Sequence, residues 1–350
     1  MKRILALLLA LLLCFSLLAC DREEDEDSKS DKKTAQTAGE EDREEESEEE
    51  QPEKEEEEEP DGPAPESEDC APLLYKVTDG EGNVAWLFGS IHVGREDFYP
   101  LPDYVLDTFD NADSLAVEFD IVAFETDLKA QMAALQALIY LDGTTIVDHI
   151  PEDLYEDAVA IMEDAGVYNA LLDYYVPVLW SSFIDSSQYE AIGADTELGI
   201  DLFLLKRAKK ADKPILDVES PELQYGMMAG FSAELQILML RESVESAKDP
   251  ETAKETMQAM MDLWMSGDED AFREYLESEE DVPEEEQALY EEYNKAMLTD
   301  RNEGMADFTE DALASGDEVF ICVGAAHVVG KGALVELMTQ RGYTVERVTE

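Results

Sequence analysis

Basic residues are scarce in this sequence of 350 residues. It has 25 Lys and Arg against 86 Asp and Glu, which gives a net charge of −61 at pH 7. Proteins that bind nucleic acid neutralise phosphates with clustered Lys and Arg. The charge balance therefore argues against nucleic acid as a partner. The sequence does not fix an oligomeric state.

Cysteine occurs only four times, at Cys14, Cys20, Cys70 and Cys322. No Cys-x-x-Cys pair and no Cys/His cluster is present, which excludes a zinc finger and a haem attachment motif. An exported protein could join Cys70 to Cys322 in a disulfide. Because Cys322 lies in an apolar run, a buried free thiol is the favoured interpretation.

Long apolar runs are absent except at residues 4–18, which follow Lys2 and Arg3. This run is too short for a comfortable membrane span and ends in small residues, so residues 1–19 are typical of a signal peptide. It closes on Leu17-Leu18-Ala19-Cys20, a lipobox, which predicts a bacterial lipoprotein with a lipidated Cys20. The alternative is ordinary secretory cleavage beside an incidental cysteine. We therefore expect an exported protein, held at the outer face of the bacterial cell membrane by its lipid anchor alone.

The segment that follows has almost no apolar residues. Residues 21–69 contain 26 acidic and 6 basic residues and no aromatic, Leu, Ile, Val or Met. Such a composition cannot bury enough apolar area to offset chain entropy. Residues 20–70 are therefore predicted to be a disordered acidic tether that begins at the lipidated Cys20.

Residues 71–350 are long enough for one folded domain with a sizeable core. Alternating and apolar runs predict strands at 73–78, 83–88, 114–119, 214–218, 318–323 and 344–348, the first two joined as a hairpin. Helical spacing predicts helices at 101–110, 121–140, 152–165, 168–186, 198–211, through much of 221–314, and at 331–341. Strands at both ends and a helical centre indicate an α/β (α+β mixed) fold. Its mixed β-sheet core is built from the N- and C-terminal parts, and the large middle segment is mostly helical. Trp86, Trp180 and Trp264 are expected in the core.

Histidine occurs only three times, and two of the three share one motif. Gly89-Ser90-Ile91-His92 and Gly324-Ala325-Ala326-His327 each follow an apolar run with strand character. Glycine at a strand end lets the backbone turn sharply and approach a ligand closely. A histidine there projects into the crevice where α/β sheets bind ligands. Hydrogen-bonded structural histidines are the alternative. The third, His149, has no such context and is expected at the surface or at a helix cap.

These motifs resemble the TraB/GumN family. The resemblance rests on Gly-x-x-His twice, on Ala116-Val117-Glu118-Phe119-Asp120, on Gly199-Ile200-Asp201 with the basic stretch 206–210, and on Arg301-Asn302-Glu303-Gly304-Met305. Their order and spacing agree from about residue 73 to 349. The family is related to Tiki-type metalloproteases of animal Wnt signalling, and more distantly to erythromycin esterase-like and ChaN-like proteins. The resemblance implies an α/β core with paired Gly-x-x-His motifs and acidic residues at one site.

The residue types at that site permit metal-assisted hydrolysis. No Gly-x-Ser-x-Gly elbow and no His-Glu-x-x-His is present, so neither a standard α/β-hydrolase triad nor a zincin helix is supported. Two histidines and a carboxylate can hold Mn, Co or Zn and acidify a bound water. His92, His327 and Glu118 are the predicted metal ligands. A metal-free route with one histidine as general base is the alternative.

Further candidate residues are assigned by position. Glu219, at the end of a short strand, matches the family's acidic strand end, although Glu118 and Glu219 could instead cap helices. Arg301 could stabilise an oxyanion or clamp a carboxylate, or simply form a salt bridge. Gly89, Ser90 and Gly324 are assigned to substrate binding, while Asp120 is expected to be a helix N-cap.

Two functions of different classes follow. The favoured one is a surface-anchored, metal-dependent hydrolase, most simply a peptidase, acting on a peptide or another carbonyl substrate. The alternative is a non-catalytic binder that sequesters a peptide signal, as the resemblance to pheromone-shutdown members of the family allows.

The lipobox generates the first prediction. The mature chain should begin at Cys20 and carry acyl groups there. Mass spectrometry of the purified N terminus measures this directly. An unmodified terminus, or a leader retained from Met1, would show that the protein is not a lipoprotein.

Overall fold

The structure is a computed structural model that describes residues 70–277 and 282–349. The predicted signal peptide, the lipidated Cys20 and nearly all of the acidic tether lie outside these residues and stay predictions. Within the described part, no helix combines the length and apolar character needed to cross a membrane.

A six-stranded mixed sheet forms the centre of the domain. Its strands are β1 (Leu74–Thr78), β2 (Val84–Ser90), β3 (Ser114–Val117), β4 (Ile215–Asp217), β5 (Val319–Gly324) and β6 (Thr344–Val348), in the order β4-β3-β5-β2-β1-β6. Strands β2, β3, β4 and β5 run parallel to one another, whereas β1 is antiparallel to both β2 and β6. All six predicted strands are present, and the α/β fold class is confirmed.

The sheet brings the two ends of the domain together. Strand β2 from the N-terminal part pairs directly with β5 from the C-terminal part, with Ser90 opposite Gly324. Every residue of β3 and the first five residues of β5 are buried, as expected for central strands covered on both faces. The two Gly-x-x-His motifs consequently leave adjacent strands at the same edge of the sheet.

Helices fill the connections between strands. They are α1 (Asp103–Asn111), α2 (Ile121–Thr126), α3 (Leu128–Gln136), α4 (Glu152–Asp164), α5 (Pro177–Ser186), α6 (Tyr189–Ile192), α7 (Ile200–Lys210), α8 (Pro221–Ala229), α9 (Ala233–Lys248), α10 (Pro250–Ser266), α11 (Glu269–Glu277), α12 (Gln287–Asn294), α13 (Asp300–Ser315), α14 (Ala325–Val328) and α15 (Leu334–Gln340). A π-helical turn, Lys295–Thr299, joins α12 to α13.

Two helix predictions were too long. The segment 121–140 divides into α2 and α3, because the side chain of Asp127 caps a new helix by accepting from the backbone N–H groups of Lys129 and Ala130. The segment 168–186 has a short 3-10 helix at Leu172–Tyr174 and becomes α-helical only from Pro177, which occupies the first helical turn, where its missing N–H is not needed. Asp120 caps α2 as predicted.

The tryptophan and cysteine predictions had mixed outcomes. Trp180 and Trp264 are fully buried, whereas Trp86 packs against the core half-buried, with its indole Nε1 3.3 Å from the exposed carboxylate of Glu318. Cys70 and Cys322 are both buried free thiols.

The loop after β2 packs unusually close to the start of α7. Gly94 exchanges backbone hydrogen bonds with Asp195, and the N–H of Ile200 donates to Ile91. A Cβ added to Gly94 would lie 2.0 Å from the carbonyl oxygen of Leu198, and one added to Gly199 would lie 2.5 Å from that of His92. Only glycine permits this approach, which fixes the His92 loop against the first turn of α7.

This contact generates a stability prediction. Gly94→Ala should destabilise the domain by about 1–3 kcal/mol, since the added methyl group must displace buried backbone. The matched control is Gly226→Ala in α8, where an added Cβ meets nothing within 4 Å. That change should stabilise by about 0.5–1 kcal/mol, because alanine favours a helix interior. Urea unfolding measures both; equal stabilities would refute the close packing.

Candidate functional site

Four adjacent parallel strands deliver the candidate residues to one edge of the sheet. His92 follows β2, Glu118 follows β3, Glu219 follows β4 and His327 lies in α14, directly after β5. The backbone pairing of β3 with β4 continues past the strand ends, because the N–H of Glu219 donates to the carbonyl of Glu118 at 2.8 Å. The carboxyl edge of a parallel sheet is where such folds usually bind ligands.

Arg301, from α13, joins the two glutamates. Its Nη2 lies 2.6 Å from Oε2 of Glu118 and 2.6 Å from Oε2 of Glu219, and its Nε donates to both oxygens of Glu219. Gln224, in α8, donates from Nε2 to Glu118 at 2.9 Å and to Glu219 at 3.0 Å. All three charged side chains are at most 14% exposed.

The guanidinium of Arg301 helps to keep Glu118 charged inside the protein. Burial alone would raise the pKa of Glu118, but Arg301, the two histidines and the backbone N–H of Gly324 together hold that pKa well below its usual range. The same pairing raises the pKa of Arg301 despite its burial. Arg301 therefore forms ion pairs with both glutamates, and Glu118 stays ionised at neutral pH.

His92 is held by a carboxylate. Its Nδ1 lies 3.1 Å from Oδ1 of Asp201, in the first turn of α7, and its Nε2 lies 4.0 Å from Oε1 of Glu118. Burial lowers the pKa of His92, but the charges of Asp201 and Glu118 outweigh burial and Arg301, so that the net pKa is raised. His92 consequently holds a proton more readily than an exposed histidine.

His327 is held by an amide. Its Nδ1 lies 2.6 Å from Oδ1 of Asn302, the residue after Arg301 in α13. Burial and the neighbouring Arg301 lower the pKa of His327 to about 3. His327 is therefore neutral at physiological pH, although its motif matches that of His92.

The side chains converge on Gly324. A Cβ placed there would lie 3.6 Å from Oε1 of Glu118, 3.6 Å from Cδ2 of His327 and 3.9 Å from Nε2 of His92. The backbone N–H of Gly324 also donates to Glu118 at 3.1 Å. Any side chain at position 324 would occupy the space between the two imidazoles.

These groups form one wall of a cavity of about 90 Å³. Ser90 and Gly324 line it, as does Arg301. Its other walls are largely apolar and come from α10, α11, α12 and the π-helical turn, including Met260, Trp264, Phe272, Leu276, Tyr293 and Met297. A polar edge faces an apolar recess, which is the usual composition of a small-molecule or side-chain pocket.

The remaining predicted residues lie elsewhere. Gly89 does not line this cavity; its carbonyl accepts from the indole of Trp264 at 2.8 Å, and an added Cβ would lie 3.0 Å from Ala325. His149 is exposed, stacks on Tyr140 at 4.1 Å and contacts Thr144, outside the site.

The donor types suit a divalent metal ion, and His92, His327 and Glu118 surround Gly324 without forming a ready-made ligand group. Nδ1 of His327 is hydrogen-bonded to Asn302 and Nδ1 of His92 lies 3.1 Å from Asp201, so the Nε2 side of each ring faces Gly324, an arrangement common to metal-binding histidines. Both oxygens of Glu118 already accept hydrogen bonds. Across residues 70–277 and 282–349, no three His, Cys, Asp or Glu side chains are grouped so that they could hold an ion.

Sequence reasoning missed the residues that orient the site. Asp201, Gln224 and Asn302 come from helices, and their contacts with His92, Glu118 and His327 join separate parts of the chain. Asp201 and Asn302 were part of motifs that resemble the family, and that resemblance was the available signal. Nothing in the spacing marks Gln224, because its role arises only when α8 packs beside β3 and β4.

The chain is an α/β protein whose candidate site is built from histidines and carboxylates at the carboxyl ends of its parallel strands. The chain belongs to the TraB/PrgY/gumN family, whose sequence profile matches residues 73–347. The family expected from the motifs is thus confirmed.

Three similar proteins are named as uncharacterized. The chain is 27% identical to the uncharacterized protein YbaP of Escherichia coli (strain K12) over 255 residues, covering 72% of this chain and 86% of that protein, and equally to YbaP of Shigella flexneri. An uncharacterized protein of Treponema pallidum (strain Nichols) is 24% identical over 281 residues, which cover 77% of this chain and 80% of that protein. No solved structure matches the chain.

The buried ion network of Arg301, Glu118 and Glu219 generates a prediction about stability. Arg301→Met should lower the free energy of unfolding by about 3–5 kcal/mol, because two buried carboxylates lose their cation. The control is Arg207→Met, which breaks the exposed pair with Asp110. That change should cost only about 0–1 kcal/mol. If both variants unfold at the same urea concentration, the network does not stabilise the fold as described.

Proposed function

We propose that this chain is a hydrolase that cleaves a carbonyl substrate, most simply a peptide, in the cavity beside Gly324. The observation that carries the proposal is the convergence of His92, His327 and Glu118 around one glycine at the edge of an apolar recess. A pure binding pocket has little use for two buried imidazoles next to an ionised carboxylate.

A divalent metal is part of this proposal. The Nε2 atoms of His92 and His327 and Oε1 of Glu118 would hold it, with Mn, Co and Zn all compatible with these donors. When bound, such an ion supplies an acidified water and polarises a carbonyl. The low pKa of His327 suits a ligand role, because the ring stays neutral and its Nε2 lone pair stays available.

The chain's own side chains supply orientation and selectivity. Arg301 and Gln224 hold Glu118 in place and leave Oε1 facing Gly324 and His92. Asp201 keeps the ring of His92 turned so that its Nε2 faces Glu118. The apolar walls from Met260 to Met297 exclude water and accept an apolar side chain of the substrate.

Activity and metal content of histidine variants test the proposal. The full chain should cleave members of a peptide mixture, detected by mass spectrometry, with added Mn, Co or Zn. His92→Ala and His327→Ala should each lose turnover by about 100-fold or more, and both should lose bound metal.

The third histidine supplies a matched control. His149→Ala changes the same residue type outside the cavity and should keep wild-type turnover and metal content. Equal activity and equal metal in all four proteins would exclude this site. Specific peptide binding without cleavage would instead favour the sequestering protein.

A further inference from the structure

Asn302 is fixed by two hydrogen bonds that leave no choice of orientation. It is 1% exposed, its Nδ2 donates to the carbonyl of Gly332 at 2.9 Å, and its Oδ1 lies 2.6 Å from Nδ1 of His327. A carbonyl oxygen cannot donate, so the amide group must turn its NH2 toward Gly332. The amide oxygen is then the only Asn302 atom left for His327.

This orientation determines which ring nitrogen carries the proton. An amide oxygen accepts but does not donate, so Nδ1 of His327 must be the N–H in the neutral ring. The Nε2 then has a free lone pair. Because Nδ1 is directed to Asn302, the Cδ2–Nε2 side of the ring is the side near Gly324.

Asn302 and Arg301 lie next to each other in the first turn of α13. The π-helical turn Lys295–Thr299 directly precedes α13. Such wide turns shift the register of side chains and recur at functional sites. Two consecutive residues, Arg301 and Asn302, are both buried here, one contacting the carboxylates and the other the imidazole.

We propose that Asn302 is a positioning residue that fixes His327 as the Nδ1–H tautomer and so directs the Nε2 lone pair into the cavity. The consequence for catalysis rests on the proposed hydrolase function, whereas the tautomer itself does not. Asp201 provides the corresponding contact to Nδ1 of His92, but with a carboxylate. In both motifs the Nδ1 atom contacts a side chain outside the motif, Asp201 or Asn302. The Nε2 side of each ring therefore faces Gly324.

Nitrogen-15 NMR of the imidazoles tests this directly. The full chain has only three histidines, so 15N-histidine labelling gives three ring systems, assigned with His92→Gln and His327→Gln. In metal-free protein at neutral pH, His327 should show a protonated, pyrrole-type Nδ1 and an unprotonated, pyridine-type Nε2. A protonated Nε2 in the wild-type protein would overturn the proposal, whatever the variants do.

Two substitutions separate positioning from packing. Asn302→Leu keeps a similar volume without an acceptor and should shift His327 toward the Nε2–H form, while the His149 signals stay in place. Asn302→Asp restores an acceptor and should retain Nδ1–H. A wild-type nitrogen pattern in a folded Asn302→Leu protein would contradict the assignment, as would loss of Nδ1–H in a folded Asn302→Asp protein.

Kinetics provide a separate measurement. Asn302→Leu should lower kcat about 10–100-fold with little change in KM, the loss usual for partners that orient a functional histidine. If the wild-type chain cleaves nothing but His327 is the Nδ1–H tautomer, the proposed function fails and the positioning role stands. If it cleaves peptides but His327 carries its proton on Nε2, the positioning role fails alone.

Discussion

The buried pairing of Arg301 with Glu118 and Glu219 is the interaction on which the site depends. Two carboxylates at neighbouring strand ends would repel each other, and burial would make each costly as an ion. One guanidinium with fixed fork geometry contacts both, and Gln224 satisfies further lone pairs. The same contacts tie α13 to the edge of the sheet, so Asn302 is delivered to His327 by the helix that delivers the cation.

The charged groups around the site also give the two histidines different pKa values. His92 lies between the carboxylates of Asp201 and Glu118, and its pKa is raised. Burial and the nearby Arg301 lower the pKa of His327, which is hydrogen-bonded to a neutral amide. Two identical motifs therefore give one ring that favours a proton and one that rejects it. Both rings are buried, and Asp201 raises the pKa of His92 but does not act on His327.

The sequence predicted the parts of the fold that local pattern controls. All six strands follow from apolar runs and turn residues, and their distribution predicted a sheet built from the N- and C-terminal parts, which β2 and β5 join. Helix limits were less predictable, because Asp127 and Pro177 interrupt segments whose apolar spacing continues across them. Trp86 was expected in the core but packs against it half-buried, and its contact with Glu318 comes from a distant segment.

The site was predictable only in part. Strand-end position indicated His92, His327, Glu118 and Glu219, because parallel strands share one carboxyl edge. Asp201, Gln224 and Asn302 escaped this reasoning, since each reaches the site from a helix whose packing no periodicity encodes. Their effect is large nonetheless: they determine how both imidazoles are oriented and how the carboxylates are held.

A double-mutant cycle between Arg301 and Glu118 tests this account most directly. The free energy of unfolding would be measured in urea for wild type, Arg301→Met, Glu118→Gln and the double variant. Removing the cation should cost about 1–3 kcal/mol less when Glu118 is already neutral, because one buried anion no longer lacks a partner. An equal cost of Arg301→Met in both backgrounds would show that the guanidinium and this carboxylate act independently, which would contradict the central role assigned to their pairing.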